Sequence, residues 1–159
     1  MPNPSTSSGT TNFSLSGLST LDPLLNVYYR KWSMGSTLDV ALTYSFPWSD
    51  GASAFWQSDY SLYAEPDAAV HFALKAPQKS AVVQALQAWA TVAAITFTEV
   101  ADTENNVGDF RFAFSSSVGD GIWGYCYYPN NYWASAADVW INPSVAEETD
   151  WTMWRLFQG

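Results

Sequence analysis

The chain has 159 residues, of which 15 are acidic and 6 are basic, so its formal net charge is −9. A chain of this length is most simply one domain, and it is long enough to bury a hydrophobic core. The acidic balance argues against nucleic acid and against an anionic membrane surface as partners, because both need clustered Lys and Arg.

Cysteine and histidine are each represented once, by Cys126 and His71. A single cysteine excludes an intramolecular disulfide, and a single histidine cannot complete a His-rich zinc site. No apolar run approaches the length of a membrane span. The first residues lack the basic and apolar regions of an ordinary secretory signal peptide.

The first part of the chain divides into an arm, a strand and a loop. Residues 1–17 are rich in Ser, Thr, Asn, Pro and Gly, which is typical of a flexible arm. Asp22 followed by Pro23 is a candidate helix start. Residues 40–46 alternate apolar and polar and predict a strand that Pro47 ends. Residues 48–66 lack a period and predict a long surface loop.

The segment Gln78 to Val100 predicts a helix that leads directly into a strand. The apolar side chains repeat at helical spacing up to Ala93, and Pro77 lies just before that run. The pattern predicts that Trp89 is buried between the helix and the sheet. Residues 95–100 then alternate and are β-branched or aromatic, which favours a strand.

Three further strands are predicted after a polar turn, at residues 110–114, 122–128 and 138–142. A last helix is predicted to begin near Thr149 or Asp150 and to include apolar residues up to Phe157. The order of strands and helices indicates an α/β or α+β domain with a mixed sheet.

These segments, in this order, resemble the front half of the catalytic domain of serralysin-type metzincins, which are secreted bacterial zinc endopeptidases. The motifs that carry the resemblance are LTYSF, QKSAVVQALQAWATVAAITFTEV, GDFRFAF, WGYCYYP and DVWIN, between Leu42 and Asn142. The resemblance implies the upper lobe of the zincin fold, a twisted and mostly parallel sheet with one long helix packed on it. It also implies an extracellular protein that cleaves peptide or protein substrates.

The zinc motif of that family, HExxH on the helix after DVWIN, does not occur in this sequence. Residues 18–159 therefore resemble a partial catalytic domain that stops before the zinc-binding helix. We expect no catalytic residue, no tightly bound zinc and no peptidase activity in this chain alone, although intact relatives use zinc and some bind calcium. The sequence fits both a fragment and a degenerate relative of the enzyme.

By resemblance, one segment forms the edge strand to which a substrate peptide adds through main-chain hydrogen bonds. The alternative is an aromatic strand that packs in the core. This candidate substrate-binding segment consists of Trp123, Gly124, Tyr125, Cys126, Tyr127 and Tyr128.

A second hypothesis is a non-catalytic module on a degenerate metzincin scaffold, in which loop aromatics stack on sugars or peptides. Its candidate residues are Trp48, Phe55, Trp56, Tyr60, Tyr132 and Trp133. If the chain is a truncated catalytic domain, the sheet face that the missing helix would cover is expected to be partly bare. An exposed apolar patch of this kind predicts that the isolated chain is marginally stable, self-associates or binds apolar dyes.

Several polar residues are predicted to be structural. His71 has no partner histidine, Cys126 is expected to be a small buried side chain, and Glu99 is expected to be structural or to face solvent. Asp109 and Arg111 are two residues apart on one strand, so they are expected to form a local ion pair. A solvated acidic turn, rather than a calcium site, is predicted for Asp138, Glu147, Glu148 and Asp150.

Overall fold

The computed structural model describes residues 3–4, 9–15, 17–19, 22, 30–33, 40–49, 68–103, 105–129, 135–149 and 151. They contain one α-helix, α1 (Ala76–Val92), and a 3-10 helix at Pro143–Val145. The strands are β1 (Asn3–Pro4), β2 (Gly9–Asn12), β3 (Arg30–Ser33), β4 (Val40–Ser45), β5 (His71–Phe72), β6 (Ile95–Glu99), β7 (Asn106–Val107), β8 (Phe110–Ser115), β9 (Gly124–Cys126) and β10 (Val139–Ile141).

The main sheet has the strand order β6-β4-β8-β10-β9, and β5 pairs with the end of β8. The β4–β6, β4–β8 and β8–β10 pairs are parallel, whereas β9 and β5 are antiparallel to their neighbours. The chain is therefore an α/β protein with a mixed, mostly parallel sheet, as the order of segments predicted.

Two short strands of the N-terminal arm also pair with other segments. β1 pairs in parallel with β7, and β2 pairs with β3 in an antiparallel ladder. The predicted helix start at Pro23, most of the loop at 48–66 and the helix from Asp150 lie outside the described residues.

Helix α1 is anchored at its start. Pro77 occupies the first turn, where an N–H has no helical partner. The Lys75 backbone N–H donates to the Gln78 side-chain oxygen at 2.7 Å. The Gln78 side-chain amide donates to the Ala146 carbonyl at 2.8 Å. Gln78 therefore ties the start of the helix to the turn after β10.

The core lies between α1 and the sheet. Val82 and Leu86 of the helix contact the helix-facing side chains of β4, β8 and β10, whose alternation places them on one face. The buried members of this cluster are Tyr44, Phe46, Leu74, Val82, Leu86, Phe112, Phe114, Ile141, Val145 and Ala146. Among the described residues, no helix is long and apolar enough to cross a membrane.

The opposite face of the sheet carries a smaller cluster and a buried polar network. Trp140 is fully buried there with Ala113 and Val118. Arg111 binds Asp102 through two charge-assisted bonds, Nε–Oδ2 at 2.7 Å and Nη2–Oδ1 at 2.6 Å. Both side chains are almost completely buried.

The predicted ion pair between Asp109 and Arg111 is therefore replaced by a pair with a different carboxylate. Asp109 Oδ2 accepts hydrogen bonds from the backbone N–H and the hydroxyl of Thr43, at 2.7 and 2.9 Å. Arg111 is long enough to reach Asp102 in the preceding loop, and a two-residue spacing alone gives no information about that loop.

Candidate functional site

An apolar groove opens on the helix side of the sheet, between the C-terminal half of α1 and the edge strand β9. Its volume is about 650 Å³. Among the described residues that line it, none is Asp, Glu, Lys, Arg or His. The lining residues are Leu42, Val82, Ala85, Leu86, Trp89, Ile95, Phe97, Phe110, Phe112, Gly121, Ile122, Trp123, Gly124, Tyr125, Cys126, Val139, Ile141 and Trp151.

The groove is open because only the first part of α1 is buried against the sheet. Val82 and Leu86 are buried, but Trp89 is 53% exposed and Val92 is 78% exposed. The prediction that Trp89 is buried is wrong. Its helical spacing placed it on the correct face, since it lines the groove with Val82 and Leu86. Burial also requires an element that covers this face.

Strand β9 borders the groove and is the last strand in the sheet order. The Tyr127 N–H donates to the Asp138 carbonyl at 3.1 Å, and the Asn142 N–H donates to the Trp123 carbonyl at 2.7 Å. Backbone groups of alternate residues point to opposite sides of a strand. Those of Gly124 and Cys126 therefore point away from β10, and no other described strand pairs with this outer edge.

Gly124 is required by the close approach of β9 to β10. A Cβ atom at this position would lie 2.6 Å from the Trp140 carbonyl oxygen, which is closer than real Cβ contacts.

The six predicted substrate-binding residues are distributed over both faces of the sheet. Trp123 to Cys126 line the groove, and Trp123, Gly124, Cys126 and Tyr128 are exposed. Tyr125 and Tyr127 are half-buried, pack edge-on with ring centroids 5.8 Å apart and contact the Trp140 cluster. The segment thus combines an exposed outer edge with two tyrosines that anchor it to the sheet.

Cys126 differs from the expectation that it is a small buried side chain, because it is exposed. It lies at the mouth of the groove, where desolvation by apolar neighbours raises the pKa of its thiol. A raised pKa lowers the thiolate fraction and therefore the nucleophilicity of the side chain. Cys126 is thus accessible but is not an activated nucleophile.

Other predicted polar residues occupy structural positions. Glu99 is exposed, as predicted, and accepts a long hydrogen bond of 3.4 Å from the Tyr44 hydroxyl. Burial raises the pKa of the Tyr44 hydroxyl, and the neighbouring Glu99 carboxylate raises it further. Glu147 is exposed and pairs with Lys75, whereas Asp138 is fully buried. The acidic residues therefore do not form a single solvated turn.

The described residues do not fit the zinc ion of the resembled enzymes. His71 is exposed, with its Nδ1 atom 2.8 Å from the Ala68 carbonyl oxygen and its ring 4.6 Å from the ring of Trp48. Within the described part of the chain, no three His, Cys, Asp or Glu side chains are placed to hold a metal ion. No catalytic step is therefore assigned to a metal bound by these residues.

The aromatic-module hypothesis rests mostly on residues outside the described ranges. Of its six candidates, only Trp48 is described. Trp48 has a left-handed backbone conformation (φ 57°), and its ring packs against His71 and the Trp140 cluster. That packing engages the ring within the protein rather than presenting it as a free stacking surface.

The resemblance implies an edge strand at Trp123 to Tyr128, and a partly bare apolar sheet face is expected, but the sequence does not locate the groove beside β9. The signal was present in Ile95, Phe97 and Phe110, apolar side chains that alternation places on the helix side of the sheet. One helix cannot cover all of these positions. Comparison of the sequence with protein-family models gives no match, and comparison with curated proteins gives none either.

Proposed function

We propose that this chain is the peptide-binding lobe of a secreted, serralysin-like zinc endopeptidase. In this proposal, the outer edge of β9 binds an extended peptide as an additional strand. The observation that carries the proposal is the outer edge of Gly124 and Cys126, with which no other strand in the described part of the chain pairs, beside an open apolar groove. The five motifs between Leu42 and Asn142 supply the link to the enzyme family.

The edge offers the chemistry that an extended peptide needs. Gly124 and Cys126 each present one N–H and one C=O away from β10, which matches the spacing of the groups on an added strand. The side chains at alternate positions of such a peptide would project toward the groove. Because the described residues that line the groove are uncharged and mostly apolar, apolar side chains are favoured there.

Catalysis would need groups that these residues do not provide. In the resembled enzymes, a zinc ion activates water and a glutamate accepts its proton, and the motif that carries both does not occur in this sequence. The activity proposed for this chain is therefore peptide binding. Hydrolysis is expected only when a zinc helix is supplied from outside residues 1–159.

The test uses proline at position 126, where the backbone N–H points away from β10. Cys126→Pro removes this outward N–H and leaves the ladder to β10 in place, since edge strands accept proline at such positions. Cys126→Ala is the matched control, because it removes the thiol and keeps the N–H. Binding of uncharged, end-blocked peptides with alternating apolar residues is measured by calorimetry.

We expect the wild type and Cys126→Ala to bind peptide with similar affinity. Cys126→Pro is expected to bind roughly three- to tenfold more weakly, the effect of one lost hydrogen bond. In amide NMR spectra of the wild type, the largest shifts on titration should fall at Gly124 and Cys126. Equal affinity of all three proteins would reject the edge as the binding site, and absence of binding to the wild type would reject the proposed function.

A further inference from the structure

We infer that Asn142 is a positioning residue for the edge strand β9. Its side-chain amide holds the turn that leads into β9, and so it fixes where the outer backbone edge and one wall of the groove lie. The effect of Asn142 on peptide binding rests on the proposed function. The placement of the turn does not, and it is tested without a peptide.

The Asn142 side chain uses both of its functional groups. Its Nδ2 atom donates to the Gly119 carbonyl at 3.1 Å and to the Ile122 carbonyl at 3.0 Å. Its Oδ1 atom accepts from the backbone N–H of Ser144 at 2.9 Å and so caps the 3-10 helix. Carbonyl oxygens only accept and an N–H only donates, so these partners fix the orientation of the amide. Asn142 is buried, which shields the bonds from competing water.

The turn from Gly119 to Ile122 depends on these bonds. Its own closing bond, from the Ile122 N–H to the Gly119 carbonyl, is 3.5 Å long. That length lies beyond the usual range of about 2.7–3.2 Å. The two bonds from Asn142 are shorter and reach the first and the last residue of the turn. Asn142 is therefore the stronger link between the two ends of the turn.

The same residue continues its hold into β9. The backbone N–H of Asn142 donates to the Trp123 carbonyl at 2.7 Å, immediately before the first residue of the strand. Ile122 and Trp123 line the groove but are 50% and 40% exposed. Half-exposed side chains are held by few buried contacts, so their positions depend on the backbone that carries them. Asn142 binds the carbonyl groups of both residues.

This arrangement has a consequence for peptide binding if the proposed function holds. An edge that is ordered before binding loses less conformational freedom on binding than a mobile one, which increases affinity. Asn142 does not line the groove itself. It should therefore raise the affinity for peptide by ordering β9 and not by a contact with the ligand.

The test uses Asn142→Asp, which conserves the size of the side chain. Aspartate keeps an oxygen for the Ser144 N–H, and it caps helices as well as asparagine does. It removes both N–H donors and turns a carboxylate toward the carbonyl oxygens of Gly119 and Ile122. Once protonated, the carboxyl group can donate one hydrogen bond to these oxygens. The matched control is Asn142→Ala, which loses the donors and adds no titratable group.

The first readout is the amide NMR spectrum of the full chain without peptide. At neutral pH, both variants should differ from the wild type at residues 119–126. When the pH is lowered until the new carboxyl group is protonated, the aspartate variant should approach the wild type measured at the same pH. The alanine variant should not. A general loss of structure would not reverse in this way.

Comparison at equal pH removes the contributions of other titratable groups, because all three proteins share them. The titratable side chains on the segments around position 142 are Asp120, Tyr125, Cys126, Asp138, Glu147, Glu148, Lys75 and His71.

The second readout is calorimetric titration with the uncharged, end-blocked peptides. At neutral pH, Asn142→Asp should bind roughly three- to tenfold more weakly than the wild type. This difference should shrink when the pH is lowered, whereas the deficit of Asn142→Ala should stay constant. Far-UV circular dichroism verifies folding. If the aspartate variant unfolds at neutral pH, Asn142→Ala supplies the neutral comparison and the aspartate variant is measured at low pH.

The outcomes separate the inference from the proposed function. Variants whose amides at 119–126 match the wild type at neutral pH overturn the inference, and so does an aspartate variant that low pH does not restore. If the wild type binds peptide and both variants bind it equally well, the role of Asn142 in binding is overturned while the peptide site stands. If the wild type binds no peptide, the proposed function fails, and the NMR comparison alone decides whether Asn142 positions β9.

Discussion

The buried ion pair between Asp102 and Arg111 provides a quantitative test of how burial determines the cost of losing a charge. The substitution is Asp102→Asn, which conserves shape and removes the negative charge. Arg111 would remain charged with its side chain fully buried, and Ser45 would lose the carboxylate oxygen that its hydroxyl contacts at 2.8 Å. Removing one partner of such a pair costs about 3–5 kcal/mol.

The matched control is the pair formed by Lys75 and Glu147. Its N···O distance is 2.6 Å, the same as that of the buried pair, but its side chains are 54% and 86% exposed. Glu147→Gln should therefore cost only about 0–1 kcal/mol. The two substitutions remove the same kind of charge at the same distance. Asp102 also accepts hydrogen bonds from Arg111 Nε and from the Ser45 hydroxyl, so the difference measures burial together with these bonds.

Urea unfolding monitored by tryptophan fluorescence supplies both free energies by linear extrapolation. Since a domain is stable by only about 5–15 kcal/mol, the buried substitution should shift the midpoint strongly. The reasoning is refuted if Asp102→Asn and Glu147→Gln differ by less than about 1 kcal/mol. The double variant Asp102→Leu, Arg111→Met should lose less than Asp102→Asn, because no buried charge remains unpaired.

Three further predictions follow from burial and close contacts. Trp140→Ala should lower the free energy of unfolding by about 3–5 kcal/mol because Trp140 is fully buried. Trp89→Ala should lower it by only about 1–2 kcal/mol because Trp89 is half exposed. Equal losses of stability in urea unfolding would contradict this. Gly108→Ala should cost about 1–3 kcal/mol, since its Cβ would lie 2.6 Å from the Ser45 nitrogen, while Gly119→Ala, with open space around it, should be near neutral in thermal unfolding. The rate at which iodoacetamide alkylates native Cys126 should rise with pH around a midpoint above that of the urea-unfolded chain, because the raised pKa keeps the thiol protonated. A midpoint that is equal or lower would show that the groove does not desolvate the thiol.

The local elements were predictable because their patterns are local. Helix α1 and strand β6 follow each other with only Ala93 and Ala94 between them, as the change from helical to alternating spacing indicated. Strands β4 and β10 lie within the predicted segments, and β8 extends one residue beyond its predicted end, to Ser115. Strand β9 is shorter than predicted, at Gly124–Cys126, because aromatic composition does not define where a ladder ends.

Burial and pairing were less predictable because both depend on distant residues. The helical spacing placed Trp89 on the correct face, but its exposure depends on what covers the groove. Arg111 pairs with Asp102 because the preceding loop brings that carboxylate close, a contact that strand alternation does not encode. The outer edge of β9 follows from the strand order, and that order is not written in any one segment.

The central position of β8 has a consequence for how the chain folds. Strand β8 lies between β4 and β10, and its start is joined to β4 by contacts such as that between Thr43 and Asp109, which are 66 residues apart. The long segment between these two residues must be brought into a closed loop before the contact can form, at a cost in chain entropy. Contacts of such long sequence separation slow folding, often to milliseconds or seconds. Helix α1 and β6 can pack against each other earlier, because only Ala93 and Ala94 separate them. Refolding should therefore be limited by insertion of β8, and substitutions at the Thr43–Asp109 contact should slow folding less than they accelerate unfolding if that contact forms late.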